Sequence, residues 1–110
     1  MRPSGQLSLL TILILLLIFE NYIQLMARSI LFEQAVIDSK QLPEKPSNEM
    51  LLQLYSFYKQ ATEGDVSGEA PSNPFDFVAK AKYEAWNSLK GKNTDEAQEA
   101  YVNLVNSLKH

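Results

Sequence analysis

Apolar residues fill the first quarter of the chain and then recur at helical spacing to its end. The run Leu7–Phe19 contains no charged residue, and the apolar character continues past Glu20 as far as Met26. A helix rises about 1.5 Å per residue, so the uncharged run covers roughly 20 Å of a membrane interior about 30 Å thick. A helix extended to Met26 would cross that interior with Glu20 inside it.

Three interpretations of this N-terminal segment stay open. It is a membrane anchor, or a secretory signal with Arg2 as its basic region, or a buried or interfacial helix. Arg2 and Arg28 flank the segment on its two sides, so positive charge does not set its orientation. We take residues 1–28 as a hydrophobic N-terminal segment and residues 29–110 as a separate domain.

From residue 29 onward the pattern becomes amphipathic. A first apolar face recurs at i, i+3, i+4 and i+7, through Phe32, Ala35, Val36 and Ser39. This helix should end before Pro43, because the residue ahead of a proline avoids the helical region. A second helix is predicted from Asn48, with Ser47 or Asn48 as its N-cap, and Gly64 should end it. Its apolar stripe is Leu51, Leu54, Tyr55 and Tyr58.

Two further helices are predicted from their capping residues. Asn73 is the expected N-cap of the third, with Pro74 at the first helical position, and Gly91 should close it. Its stripe is Ala79, Lys82, Tyr83 and Trp86, of which Trp86 is expected in the core. The fourth helix should begin at Asn93 or Thr94, with a reciprocal pairing of Asn93 and Glu96. No strand pattern is present, so the sequence predicts an all-α four-helix bundle.

Composition narrows the function. The 110 residues suffice for one domain with a modest core, and the net charge of −3 disfavours a nucleic-acid partner. The chain has no cysteine, and its single histidine is the terminal His110, so thiol chemistry, a histidine triad and histidine or cysteine metal sites have no basis. Glu63, Asp65 and Glu69 do not have the spacing of a calcium loop and are expected to be solvated. We expect no enzyme, no cofactor and no metal.

Two phenols and an ammonium group fall on one patch of the second helix. Tyr55, Tyr58 and Lys59 stand at i, i+3 and i+4. A tyrosine ring offers a flat apolar surface with a polar tip, and a lysine offers a point charge suited to a phosphate. The trio therefore suits a ligand that is part aromatic base, part phosphate and part apolar. The alternative is that both tyrosines belong to the core and Lys59 extends past them to water.

Two motifs resemble those of the acyl-CoA-binding protein family. They are Tyr55–Asp65 (YSFYKQATEGD) and Lys80–Gly91 (KAKYEAWNSLKG), and the likeness extends from about Ser29 to the end of the chain. The resemblance implies an up-down-down-up four-helix bundle, here preceded by an N-terminal hydrophobic helix. It also implies a non-catalytic intracellular carrier of long-chain acyl-CoA esters. The ligand-binding residues carried over by motif are Tyr55, Tyr58, Lys59, Lys82 and Tyr101, with Phe32 and Lys40 on the first helix.

The chemistry of these residues fits that ligand. Tyrosine rings can stack on adenine, and Lys59 with Lys82 can meet the phosphates from two helices. The acyl chain needs shelter from water, worth about 0.8 kcal/mol per methylene. The two-residue spacing places Lys80 on another face, where it should be solvated.

Three positions depart from the family pattern: Tyr83 replaces the usual Trp, and Val78 and Ala70 stand where basic residues are common. They favour the alternative of a helical interaction module with weak or no ligand binding. A further alternative is an accessory domain of an enzyme such as an enoyl-CoA isomerase. We expect a monomer whose partners are long-chain acyl-CoA, a membrane contacted through residues 7–26, and acyl-CoA-using enzymes. The expected location is a membrane with the binding domain facing the cytosol; the alternative is soluble cytoplasmic.

Overall fold

Helices account for nearly all the regular structure of the chain. The computed structural model describes residue 5 and residues 7–110, and Arg2 lies outside these residues. The four helices are α1 (Leu9–Ser39), α2 (Asn48–Glu63), α3 (Phe77–Asn87) and α4 (Thr94–Leu108). No strand occurs in the described part of the chain, which confirms the all-α prediction.

The hydrophobic N-terminal helix and the first bundle helix are one continuous helix, α1, of 31 residues. The Ser8 side chain caps it by accepting a hydrogen bond from the Thr11 N–H at 3.2 Å. Between Leu9 and Ser39 the sequence has no glycine or proline, so nothing interrupts the backbone hydrogen bonds where the composition changes near Ser29. The apolar segment is therefore joined to the bundle without a linker.

Ion pairs at two levels show that α1 and α4 run in the same direction. Arg28 contacts Asp95, at the start of α4, with Nη1 and Oδ2 3.0 Å apart. Near the other end of both helices, Lys109 Nζ lies 2.6 Å from Asp38 Oδ2. The earlier residue of α1 pairs with the earlier residue of α4, and the later residue of α1 pairs with the residue that follows α4, so the two helices are parallel.

The ends of α2 and α3 fix the rest of the topology. The Gln60 side chain, near the end of α2, donates to the Lys92 carbonyl just before α4 at 2.8 Å, so α2 and α4 are antiparallel. The Trp86 indole, near the end of α3, donates to the Gly64 carbonyl after α2 at 2.8 Å, so α2 and α3 are parallel. The bundle is thus up-down-down-up, as expected.

The core lies where α2 and α4 pack together, with α1 on α4 and α3 on α2. Ala97 and Val105 on α4 have no exposed surface, and small side chains at such positions let helices approach closely. The buried apolar cluster comprises Phe32, Ala35, Leu54, Ala61, Ala97, Tyr101 and Val105. Trp86 is also buried, as predicted, at the α2–α3 contact.

Most helix ends match the capping prediction. The Ser47 side chain accepts from the Met50 N–H at 3.2 Å at the start of α2. Gly64 follows the end of α2 with a φ of 78°, which favours glycine. At α4 the Asn93 side chain accepts from the Glu96 N–H at 2.8 Å and donates to the Glu96 carboxylate at 2.7 Å. The predicted pairing of Asn93 and Glu96 is confirmed.

The predicted bounds of α3 are wrong. The helix begins at Phe77, and its N-cap is Asp76, whose carboxylate accepts from the Ala79 N–H at 3.0 Å. The Asn73 side chain instead accepts a hydrogen bond from the Phe75 N–H at 2.9 Å. This bond, to the residue two positions on, forms a local turn and not a helix cap. The helix ends at Asn87, and Gly91 belongs to the following turn. Two capping residues compete here, and only Asp76 is followed by continuous helix.

Candidate functional site

A cavity of about 410 Å³ opens between the N-terminal halves of α2 and α3. Pockets of this size suit small ligands, and such pockets are mainly apolar with a few polar groups that fix orientation. The lining residues are Asn48, Leu51, Leu52, Tyr55, Phe77, Val78, Ala81 and Lys82. The apolar walls therefore carry one phenol and one ammonium group.

Tyr55 and Lys82 contact each other across this cavity. The Lys82 Nζ lies 5.3 Å from the centroid of the Tyr55 ring, within the range of a cation–π interaction. Tyr55 is half-buried and Lys82 is exposed, so the ammonium group remains open to solvent and to a ligand. Of the predicted ligand residues, the structure thus brings Tyr55 and Lys82 together here.

Tyr58 belongs to a different cluster, formed with Phe32 of α1 and Tyr101 of α4. The Phe32 ring stacks on Tyr58 at 6.1 Å between centroids, and Tyr101 meets both rings, at 5.3 Å from Phe32 and 6.0 Å from Tyr58. Tyr58 is 40% exposed, whereas Phe32 and Tyr101 are buried at 8% and 4%. Tyr58 is therefore the member of the cluster that a ligand can reach, and the other two support its ring.

Lys59 is held between α2 and α3. Its ammonium group pairs with the Glu63 carboxylate one turn on and lies 4.8 Å from the centroid of the Trp86 ring. The hydrogen bond to Glu63 raises the pKa of Lys59 above its ordinary value, although partial desolvation opposes this. The charge is thus fixed and permanent near neutral pH, but Glu63 occupies part of its hydrogen-bonding capacity.

Sequence reasoning missed the residue that fastens these elements together, Gln60. Its side chain is fully buried and its carbonyl accepts from the Trp86 indole N–H at 3.1 Å. Its amide donates to Asp65 Oδ1 and to the Lys92 carbonyl, both at 2.8 Å. A buried polar side chain that is fully hydrogen-bonded fixes its neighbours in one arrangement. Gln60 lies inside the first family motif, which was the available signal.

Asp65 extends this network to the turn before α4. Its carboxylate accepts from the Gly91 N–H at 2.9 Å and from the Gln60 amide. These two hydrogen bonds lower the pKa of Asp65, and the one from Gly91 has the larger effect. Asp65 is exposed, as expected, yet it also anchors the loop after α2. The network holds the C-terminal ends of α2 and α3 beside Lys59.

The remaining predicted positions are more dispersed. Lys40 is exposed at the C-cap of α1, and none of the ion pairs or hydrogen bonds within residues 7–110 joins its side chain to another predicted site residue. Val78, one of the departures from the family pattern, is 66% exposed on the rim of the cavity. Ala70 is exposed in the loop before α3, and Tyr83 is half-buried.

A second depression, of about 610 Å³, follows the exposed apolar segment of α1. Its lining residues are Leu7, Ile12, Leu15, Leu16, Ile18, Phe19 and Tyr22. Because none of the residues that line it within the described range 7–110 is charged, it does not suit a phosphate-bearing ligand, and the α2–α3 cavity is the better candidate. Within the described chain no cluster of acidic or histidine side chains could hold a metal ion.

Comparison with known proteins identifies what this arrangement is similar to. Residues 29–105 match the family described as Acyl CoA binding protein. The chain is 45% identical over 78 residues to the acyl-CoA-binding protein of Saccharomyces cerevisiae, covering 71% of this chain and 88% of that protein. It is 46% identical over 77 residues to the acyl-CoA-binding protein of Dictyostelium discoideum, covering 70% and 90%.

Longer proteins and solved structures agree. The enoyl-CoA delta isomerase 2 of Rattus norvegicus is 48% identical over 77 residues, which are 70% of this chain but only 19% of that protein. The crystal structure of Oryza sativa Acyl-CoA-Binding Protein 2 superposes with a TM-score of 0.69 at 37% identity, covering 74% of this chain and 89% of that one. The sequence and the fold are therefore both similar to those of acyl-CoA-binding proteins.

Proposed function

Because this chain belongs to the acyl-CoA-binding protein family, we propose a specific arrangement by which its residues hold a long-chain fatty acyl-CoA ester. The chain binds such esters as a carrier. The observation that supports the proposed site best is the α2–α3 cavity, where apolar walls, the Tyr55 ring and the Lys82 ammonium group occur together.

In this proposal the acyl chain lies along the apolar walls of the cavity, against Leu51, Leu52 and Ala81. Each methylene removed from water contributes about 0.8 kcal/mol, so a long chain is held more tightly than a short one. The rim residues Phe77 and Val78 are 72% and 66% exposed, and a bound chain would cover them.

The nucleotide part lies over the outer surface of α2. Tyr55 and Tyr58 supply aromatic surfaces or phenol hydrogen bonds for adenine, and Lys59 with Lys82 supplies charge for the phosphates. Phe32 and Tyr101 act mainly by supporting the Tyr58 ring, to judge by their burial. Lys40 is a further cation for the same ligand, supported by the family motif and its exposure.

We also propose that the protein performs no chemistry on the ester. It would limit the free concentration of acyl-CoA and deliver the ester, as a monomer, to acyl-CoA-using enzymes. The similarity to an isomerase concerns only 19% of that enzyme and gives no support to an isomerase activity in this chain.

The proposed location is a membrane, with the binding domain facing the cytosol. α1 is long and apolar enough to cross a bilayer, and none of its most apolar window is buried within the chain. An exposed apolar surface of this size requires a cover, and a bilayer would supply one. We therefore assign residues 1–28 to an anchor and residues 29–110 to the acyl-CoA-binding domain.

Calorimetry tests the binding site. We expect palmitoyl-CoA to bind far more tightly than free CoA or palmitate, since neither fragment fills both parts of the site. Lys82→Ala should weaken palmitoyl-CoA binding roughly tenfold or more, through loss of a charge-assisted contact. The matched control is Lys80→Ala, two residues away on α3 and also exposed. Equal effects of the two substitutions, or equal weak binding of all three compounds, would contradict the assignment.

A further inference from the structure

The apolar segment continues into the bundle without a change of secondary structure. α1 continues through this junction as regular helix, with no glycine or proline to permit a bend. Arg28, the last residue before the bundle domain, also pairs with Asp95 at the start of α4, with Nη1 and Oδ2 3.0 Å apart. The direction in which the bundle leaves the segment is therefore set by α1 itself.

The bundle has two ends relative to this junction. The near end, where the apolar segment enters, contains Arg28, Asp95 and Lys92. Because Gln60 contacts the Lys92 carbonyl, the C-terminal end of α2 is also at the near end. The far end contains the end of α1 and, since α2 is antiparallel to α4, the first residue of α2, Asn48.

The ligand cavity lies toward the far end. Its walls come from the first two turns of α2, beginning at Asn48, and from the first two turns of the parallel helix α3, beginning at Phe77. The rise of an α-helix from Arg28 to the end of α1 at Ser39 is roughly 17 Å. The exposed rim residues Phe77 and Val78 are consequently separated from the apolar segment by most of the height of the bundle.

We propose that α1, as one continuous helix without a linker, holds the mouth of the cavity away from the membrane in which the chain is anchored. Acyl-CoA is then exchanged through the aqueous phase and not directly with that bilayer. The inference rests on the proposed acyl-CoA site and anchor, and adds the orientation of one to the other. If a flexible linker joined the anchor to the bundle, the rim residues Phe77 and Val78 would be able to reach the bilayer. Because the anchor and the bundle share one continuous helix, these residues stay away from it.

Distance measurements test the orientation without any ligand. The chain has no cysteine, so Thr94→Cys at the near end and Glu44→Cys at the far end each accept a single fluorophore, and both positions are exposed. The full chain is placed in phosphatidylcholine vesicles that contain an acceptor dye on lipid headgroups. We expect energy transfer from position 94 to be several-fold more efficient than from position 44. Equal or reversed efficiencies would overturn the proposal.

Exchange kinetics test the consequence. Fluorescent long-chain acyl-CoA is supplied either in the protein-bearing vesicles or in separate protein-free vesicles. The native chain should load at the same rate from both sources. A Gly/Ser insert of about twelve residues after Ala27 has a root-mean-square length of about 19 Å, so it should make loading from the chain's own bilayer several-fold faster. Faster loading from its own bilayer by the native chain, unchanged by the insert, would refute the proposal.

Failure of the underlying assignments gives different results. A chain that binds no palmitoyl-CoA in detergent solution removes the proposed function, but the two labelled positions still report the orientation. A full chain that does not float with vesicles overturns the anchor and, with it, the orientation proposal. A chain that floats, binds palmitoyl-CoA and gives equal transfer from both labels refutes the orientation alone.

Discussion

The contacts of single side chains determine which of the proposed binding groups are available to the ligand. Lys59 is charged, but its partner in the structure is Glu63, one turn further along α2. A phosphate must compete with that carboxylate for the same ammonium group. The pair is partly exposed, and such pairs are worth at most about 1 kcal/mol, so Glu63 can moderate the affinity but not prevent binding.

Removing this competitor should tighten binding. We expect Glu63→Gln to lower the Kd for palmitoyl-CoA by roughly two- to fivefold, because Lys59 no longer leaves a carboxylate to meet the phosphate. Calorimetry at low ionic strength measures the change. Glu99→Gln on α4 alters the net charge equally but lies by the groove between α1 and α4. An identical gain in both variants would mean that only the overall charge matters.

Asp65 links the stability of the bundle to pH. Its pKa is lowered in the folded chain by the Gly91 and Gln60 hydrogen bonds, so the folded state favours the ionised carboxylate. This contribution is present above the ordinary value of 3.8 and is lost as the pH falls through the lower folded value. The free energy of unfolding should therefore decrease in acid.

Asp65→Asn should reduce that acid dependence. The variant keeps an oxygen acceptor but not the charge, so it should be less stable than the native chain near neutral pH and approach it below the Asp65 pKa. Urea unfolding between neutral pH and pH of about 2 measures the difference. Asp38, whose pKa is lowered by Lys109 and Gln34, adds a dependence of the same sign. A constant difference at every pH would show that Asp65 acts only through its shape.

At the scale of the helices, capping residues set where each element begins. α3 has two candidate caps three residues apart, and the structure uses Asp76, not Asn73. A side chain that satisfies an N–H group at a helix N-terminus is worth about 0.5–2 kcal/mol. The carboxylate of Asp76 also lies favourably at the positive end of the helix dipole.

We therefore expect Asp76→Ala to lower the free energy of unfolding by about 1 kcal/mol. Asn73→Ala is the paired control, since it removes only the short turn to Phe75 and should cost less. Urea denaturation of both variants measures the values. The result would go against this assignment if Asn73→Ala proved the more damaging substitution.

These same elements show what the sequence could and could not predict. Helical spacing and local caps determine α2 and α4, so the sequence predicts their starts at Asn48 and Thr94. The start of α3 was not, because Asn73 and Asp76 both have a capping side chain and the choice depends on how the loop folds. The hydrogen bonds of Gln60 join positions distant in the chain, and spacing does not reveal such partners.

The candidate site was predictable to a similar extent. The family motif placed Tyr55 and Lys82 together, and the structure has their side chains in contact. Helical spacing also put Tyr58 on the patch with Tyr55, but in the structure it joins Phe32 and Tyr101. That difference arises from packing between α1, α2 and α4, which no local pattern encodes.

At the scale of the whole molecule, one helix has two environments. The first part of α1 is exposed and apolar, and the second part packs its buried face on α4. The α1 residues that contribute to the buried cluster within the described chain, Phe32 and Ala35 with Val36 packed against it, all lie after residue 28. The apolar segment is therefore not part of the bundle core.

Deletion of residues 1–26 should separate membrane attachment from ligand binding. The shortened chain keeps Arg28, and with it the ion pair to Asp95, so the bundle should fold and bind palmitoyl-CoA with an unchanged Kd. The full chain should float with phosphatidylcholine vesicles in a density gradient and stay with them in high salt, whereas the shortened chain should remain at the bottom.

The charge at Glu20 sharpens this prediction, because it distinguishes a spanning helix from a surface one. A carboxylate near the middle of a spanning helix costs about 2.5–3.5 kcal/mol of insertion free energy, so Glu20→Leu should raise the inserted fraction in a translocon assay. Glu44→Leu, in the loop after α1, should leave that fraction unchanged. If cells instead yield a mature chain that begins near Ala27, the segment is a cleaved signal, and neither variant bears on the location of the binding domain.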